Sequence, residues 1–205
     1  MFSLNVENVQ KKIKDALILD KINLCFSSGK IYGLMGKNGS GKTMLLRILA
    51  GLVHPTSGKI LWNGTGKPRI GLIIENMGLY PEFTGFENLK LLAGINKIIA
   101  DEAIRDAITR VGLDPADKRT LKKYSLGMRQ RIIIAQAVME HPDLLLLDEP
   151  TNGLDENGVS LMREMLLEEA KRGAIVVIAS HSTEDIEFLC DEKYRMASGC
   201  LAGWK

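Results

Sequence analysis

The chain has 205 residues, 45% of them hydrophobic and 25% charged, with 27 basic against 25 acidic side chains and a net charge of +2. That length suits one α/β domain with a sizeable core, or a core plus a small subdomain, and argues against two independent enzymatic units. The near balance of charge gives no electrostatic case for nucleic acid, and the longest apolar run, Ala174 to Ala179, is far too short to cross a bilayer. Work at a membrane would need another chain to supply the spans. Two basic clusters, Lys11-Lys12-Ile13-Lys14 and Lys118-Arg119-Thr120-Leu121-Lys122-Lys123, read as solvated faces. Cys25, Cys190 and Cys200 are odd in number and fit no metal-ligand spacing, so buried or half-buried thiols in a reducing cytosol are expected. Met1 leads directly into the alternating Leu4, Val6 and Val9, and no leader peptide is expected.

The first third reads as strands, Ser3 to Val9, Leu17 to Phe26 and Ile31 to Met35, with Ser27-Ser28-Gly29-Lys30 as a turn. Residues Gly36 to Thr43 then read GKNGSGKT, a full match to the phosphate-binding pattern G-x-x-x-x-G-K-[ST]. The context is what that pattern needs, because a buried strand ends, a loop turns and helical spacing begins at Lys42 and runs to Leu49. Gly36, Gly39 and Gly41 allow a tight turn, and Lys37, Asn38 and Ser40 between them add backbone N–H groups that can face an anion at the positive end of a helix. Lys42 supplies a point charge for the outer phosphates, and Thr43 a hydroxyl for Mg²⁺.

Strands are expected at Lys59 to Trp62 and Arg69 to Ile74, around the turn-rich Asn63 to Pro68. Between about Gly78 and Met139 the pattern turns mostly helical, with apolar spacing in Glu87 to Leu92, Asp101 to Val111 and Arg131 to Val138. An α/β pattern resumes with Leu144 to Leu147, a helix from about Asn157 to Arg172 and a strand from Ala174 to Ala179. Continuous hydrophobicity in those strands implies a sheet covered on both faces. The Leu run ends in Asp148-Glu149, where one carboxylate can hold the water shell of Mg²⁺ and its neighbour can polarise an attacking water. Asp148 is assigned to the metal and Glu149 to the general base.

Residues 124 to 131 read YSLGMRQR and from Ser125 onward resemble the LSGGQ signature of ATP-binding cassette (ABC) proteins. Ser125 and Gly127 precede a helix and can offer a hydroxyl and bare N–H groups to a phosphate. The order GKNGSGKT, YSLGMRQR, LLLLDEPTNGLD and IVVIASH covers nearly the whole chain and resembles the nucleotide-binding subunit of ABC transporters. That resemblance implies an α/β fold: a P-loop ATPase core with a mainly parallel sheet, an N-terminal antiparallel β subdomain and an inserted helical subdomain at about 78–139, all within one domain spanning 1–205. It implies ATP and Mg²⁺ as cofactors, and a homodimer or paralogous ATPase dimer packed head to tail around two ATP molecules. It also implies a transmembrane permease subunit as partner, at the cytoplasmic face of the cell membrane. In the resemblance, Asp155 sits in the loop that reaches across the dimer, and His181 is the switch residue near the γ-phosphate.

The chain departs from the family at two positions. Glu75 stands where Gln is usual, keeping an oxygen for Mg²⁺ and the attacking water but adding charge beside the triphosphate, and Ile13 stands where an aromatic usually stacks on adenine. The chain stops soon after Gly199, so no C-terminal regulatory domain is expected. The stretch Ile74 to Leu89, with Gly85-Phe86-Glu87-Asn88-Leu89, is similar to ATPases that export antimicrobial peptides such as bacitracin or lantibiotics. A GTPase would need Asn-Lys-x-Asp, and the nearest string, Asn96-Lys97-Ile98-Ile99, lacks the Asp. The segment from Ser125 argues against a small-molecule kinase. A soluble ABC ATPase acting on ribosomes or DNA is the alternative, although two cassettes or a long coiled-coil insertion are usual there.

Overall fold

The structure, a computed structural model, describes residues 2–74 and 78–203; the expectation placed on Glu75 lies outside them. Strands β1 (Ser3–Ile13) and β2 (Ala16–Ser27) form an antiparallel hairpin, and β3 (Ile31–Met35) runs through the phosphate loop into helix α1 (Lys42–Leu49). Strand β4 (Ser57–Asn63) returns to β1, giving a three-stranded antiparallel sheet of order β2-β1-β4. After β5 (Ile70–Ile73) come α2 (Gly85–Asn96), α3 (Asp101–Arg110), a 3₁₀ turn (Leu121–Lys123) and α4 (Leu126–Val138). The chain then alternates through β6 (Leu144–Asp148), α5 (Glu156–Arg172), β7 (Ile175–Ser180), α6 (Thr183–Leu189), β8 (Glu192–Ala197) and β9 (Cys200–Gly203). The larger sheet has the order β5-β6-β7-β3-β8-β9, parallel throughout except for β9, which pairs antiparallel with β8.

Period-2 alternation within the fully buried strands splits the core in two. Ile31, Leu145, Leu147, Val176 and Ile178 face the helical side, with Leu89, Ile104, Ile132 and Leu166. Tyr32, Leu34, Leu144, Leu146, Ile175 and Val177 face α1 and the antiparallel sheet, with Leu19, Phe26, Leu45 and Leu46. Tyr32 joins the two sheets: its buried ring meets Phe26 edge to face at 4.8 Å, and its hydroxyl accepts the Ser27 N–H at 2.7 Å.

The starts of α2, α4, α5 and α6 follow side-chain caps, whereas α1 and α3 open without one. Thr84 and Glu87 form a capping box that opens α2, two residues ahead of the apolar pattern. Ser125 accepts the Met128 N–H at 3.1 Å and opens α4 five residues before the expected Arg131. α6, β8 and β9 were not expected from periodicity. One expectation is corrected: Cys25 and Cys200 are exposed on the outward faces of their strands, and only Cys190 is buried.

Candidate functional site

The loop after β3 is shaped by backbone. Gly39 (φ 79°) and Gly41 (φ 107°) take left-handed conformations, and Gly41 caps α1 with no side-chain acceptor, so the first N–H groups of that helix point into the cleft unclaimed. Gly36 is needed for space: a Cβ there would lie 2.5 Å from the Met196 carbonyl oxygen and 2.6 Å from Ser40 Oγ. The turn between β8 and β9 clamps the loop from behind. The Gly199 N–H donates to the Ser40 carbonyl at 3.0 Å, and the Gly199 carbonyl accepts the Asp20 N–H at 2.9 Å. Lys42, buried, donates from Nζ to the Gly36 carbonyl at 2.5 Å.

Parallel pairing of β6 with β7, and of β7 with β3, brings the acidic strand end to the same edge. Thr43 Oγ1 donates to Asp148 Oδ2 at 2.5 Å. Glu149 takes a left-handed backbone (φ 47°), a strained conformation held by its N–H donating to the Ala179 carbonyl at 2.8 Å. Its Oε2 lies 2.8 Å from His181 Nδ1 and accepts from Ser180 Oγ at 3.3 Å; its Oε1 is buried without a hydrogen-bond partner and lies 4.0 Å from Lys42 Nζ. Contact with a carboxylate calls for a proton on Nδ1, which leaves Nε2 of the exposed His181 free to accept in the neutral ring. The side-by-side hydroxyl and carboxylate of Thr43 and Asp148 are hard oxygen donors, few enough to suit an ion that keeps water and phosphate oxygens in its shell. The orphaned Glu149 oxygen beside them is an acceptor waiting for a donor. That combination fits Mg²⁺.

These residues line one open cleft of about 940 Å³, running from Lys37 to Thr43 and including Asp148, Glu149 and His181. Ser125, Gly127 and Asp155 do not line it. Ser125 is exposed at the head of α4, and Gly127 packs on the turn at Gly153. Asp155 caps α5 by accepting the Gly158 N–H at 2.9 Å and pairs with Arg131 Nη2 at 2.6 Å, and these bonds, the Arg131 one first, hold its carboxyl below the usual range. Ile13, 44% exposed at the end of β1, does not line the cleft either, whereas Ile18 does. Leu126, Gln130, Asn152 and Gly153 also reach the cleft; Asn152 and Gly153 carried an expectation only as part of the loop that reaches across a dimer, and the nearness of all four depends on α4 meeting the 150–155 turn, which spacing along the chain does not disclose. The clamp at Gly199 did have a signal, the Ser198-Gly199 turn pair.

The profile of the ABC transporter family matches residues 19–152. The Bacillus subtilis ABC transporter ATP-binding protein YybJ is 51% identical over 205 residues, covering 97% of this chain and 94% of that protein. The bacitracin transport ATP-binding protein BcrA of Enterococcus faecalis is 38% identical, over 93% of this chain but 65% of its own length. The lantibiotic transport ATP-binding protein SrtF of Streptococcus pyogenes is 37% identical, over 92% of this chain and 84% of its own. Among solved structures, an ATP-binding subunit of an ABC transporter superposes with a TM-score of 0.87 at 25% identity, covering 98% of this chain and 89% of that one. The dimeric bacterial ABC transporter cassette MJ0796 shares the fold, with a TM-score of 0.86 at 22% identity over 98% and 99% of the two chains. With the phosphate loop, the acidic strand end and the histidine gathered in one cleft, these likenesses settle the family: the chain belongs to the ABC transporters, as an ATP-binding subunit that is an ATPase.

Proposed function

We propose that the subunit hydrolyses ATP with Mg²⁺ inside a head-to-tail dimer and thereby drives a separate transmembrane subunit from the cytoplasmic face of the membrane. The observation that carries this reading is the division of the site. The phosphate loop, Asp148, Glu149 and His181 line one cleft, while Ser125 and Gly127, on either side of the cleft-lining Leu126, do not line it and sit at a largely exposed helix start. A two-fold arrangement would bring the second copy's Ser125 and Gly127 over the first copy's phosphate loop, and each copy would complete the other. Gly36 to Gly41 and Lys42 hold the phosphates, and Thr43 and Asp148 hold Mg²⁺, which neutralises developing charge. Glu149 orients water and takes its proton, with His181 fixing the carboxylate through Oε2. Glu75 is proposed to sense nucleotide beside the metal, as Gln does at that position in the family. Relatives named for bacitracin and lantibiotic transport support antimicrobial-peptide export as the class of cargo.

The test uses Glu149→Gln, which keeps shape and removes the base. Sedimentation with Mg²⁺ and ATP should show a dimer, and adding Ser125→Arg should return it to monomer. A Glu149→Gln protein that stays monomeric at saturating ATP would overturn the reading.

A further inference from the structure

One face of α4 rests on the turn that follows Glu149. Residues 126, 127, 130 and 131 recur at helical spacing, and each meets the segment 150–155. A Cβ on Gly153 would lie 3.0 Å from Leu126 Cγ and Cδ2, and one on Gly127 would lie 2.9 Å from the Gly153 carbonyl oxygen, so helix and turn touch backbone to backbone. Gln130 Nε2 donates to the Pro150 carbonyl at 3.2 Å. Arg131, its side chain only 12% exposed, donates from Nη2 to Asp155 Oδ1 at 2.6 Å and from Nη1 to the Val111 carbonyl at 3.3 Å. Two glycines make room for its guanidinium: a Cβ on Gly112 would lie 3.0 Å from Nη1, and one on Gly158 would lie 3.1 Å from Nη2 and 2.9 Å from Asp155 Oδ1. The Asp155 carboxylate is therefore committed within its own chain, to a helix cap and to Arg131.

We infer that Arg131 is a positioning residue that locks the 150–155 turn to α4, so that Ser125 and Gly127 are presented to a second subunit in a geometry set by the Glu149 end of β6. The fork of Arg131 suits this, since it reaches the C-terminal end of α3, the N-terminus of α5 and the 150–155 turn from a single side chain. The first link, between Arg131 and the two segments, stands on the monomer. The second, to partner presentation, rests on the dimer reading above.

Two arms test the links separately. In the nucleotide-free protein, Arg131→Met should speed hydrogen exchange of amides in both 125–131 and 150–158 by about ten-fold or more, as loss of a charged hydrogen bond in a shared contact requires. Gly158→Ala should do the same, although alanine favours the helix. Faster exchange in only one segment, or in neither, overturns the inference. In the Glu149→Gln background, Arg131→Met and Asp155→Ser should each weaken the ATP-driven dimer by about ten-fold, and the double variant should weaken it no further, because the shorter serine hydroxyl still caps the helix but no longer reaches Arg131. ATP affinity of the dilute Arg131→Met subunit should stay unchanged, which a general loss of structure would not leave intact. Additive effects, or a dimer indifferent to both changes, also overturn it. If the Glu149→Gln parent fails to dimerise, the dimer reading falls, and the exchange arm still decides the tie between turn and helix.

Discussion

Gly36→Ala should damage nucleotide binding by a route that backbone strain does not share. Gly36 has no left-handed φ, so alanine is conformationally acceptable there; the obstacle is the Met196 carbonyl oxygen at 2.5 Å from the new methyl and Ser40 Oγ at 2.6 Å. Ordinary carbon–oxygen contacts sit at about 3.3–3.6 Å, so loop and β8 must part by about 1 Å. Ser40 can turn its hydroxyl, but the carbonyl belongs to a strand paired on both sides, to β3 and β9. The loop must therefore move. Overpacking of this kind costs about 1–3 kcal/mol, and if the phosphate cradle bears it, ATP affinity falls between about five-fold and about 150-fold. Gly51→Ala is the control. Gly51 follows α1 with φ 72° and open space around its would-be Cβ, so alanine there costs about 1–2 kcal/mol of left-handed strain and touches no part of the cleft. Calorimetric titration with Mg²⁺ and ATP, paired with thermal melting, should show lost affinity for Gly36→Ala and lost stability alone for Gly51→Ala. Wild-type ATP affinity in a folded Gly36→Ala protein would refute the steric argument.

Three other outcomes are expected. Burial pushes the Cys190 thiol up to about 12, so alkylation at pH 8 followed by mass spectrometry should label Cys25 and Cys200 and spare Cys190. Hydrogen bonds from Arg119 hold the Asp117 carboxyl down at about 2, against 3.8 ordinarily, so its contribution to stability is present above the unfolded value and lost as pH falls from about 4 to about 2; urea midpoints of Asp117→Asn should decline less over that window than those of the parent. Ile13→Tyr should improve discrimination of ATP over GTP by up to about ten-fold in competition assays, the scale of one aromatic stack, and no change would show that the end of β1 does not reach the base.

What could be read in advance was what local chemistry decides. The phosphate loop, the acidic end of β6 and the buried parallel strands each carry their cause within a few residues, and they stand together in one cleft. The start of α4 was displaced because apolar spacing begins at Arg131, while a single hydroxyl on Ser125 sets the helix origin. The same holds for α2, whose Thr-x-x-Glu box was available in the sequence and outweighs the weaker periodicity behind it. α6 also had a signal, Ser182 followed by Thr-Glu-Asp, but seven residues give little period to detect. β8 and β9 lay beyond such reasoning: β8 buries only Met196 fully, so its alternation is faint, and its place beside β3 is fixed by register. The pairing of Asp155 with Arg131 spans 24 residues and two elements, and no local pattern predicts that a loop acid is held by its own chain.

The clamp between Gly199 and Ser40 bears on how the chain acquires activity as it is made. The phosphate-loop sequence comes first, but two of the contacts that shape it, the Gly199 N–H on the Ser40 carbonyl and the Met196 carbonyl against Gly36, come from β8 and the turn after it, which emerge long after the loop. The strand beside β3 on its other side, β7, is also synthesised late. A growing polypeptide therefore carries the complete motif until β7 and β8 have emerged, without the architecture that gives it affinity. ATP cannot template the early folding of such a chain; it can only reward a sheet in which β7 and β8 have already joined β3, which places nucleotide capture after their docking.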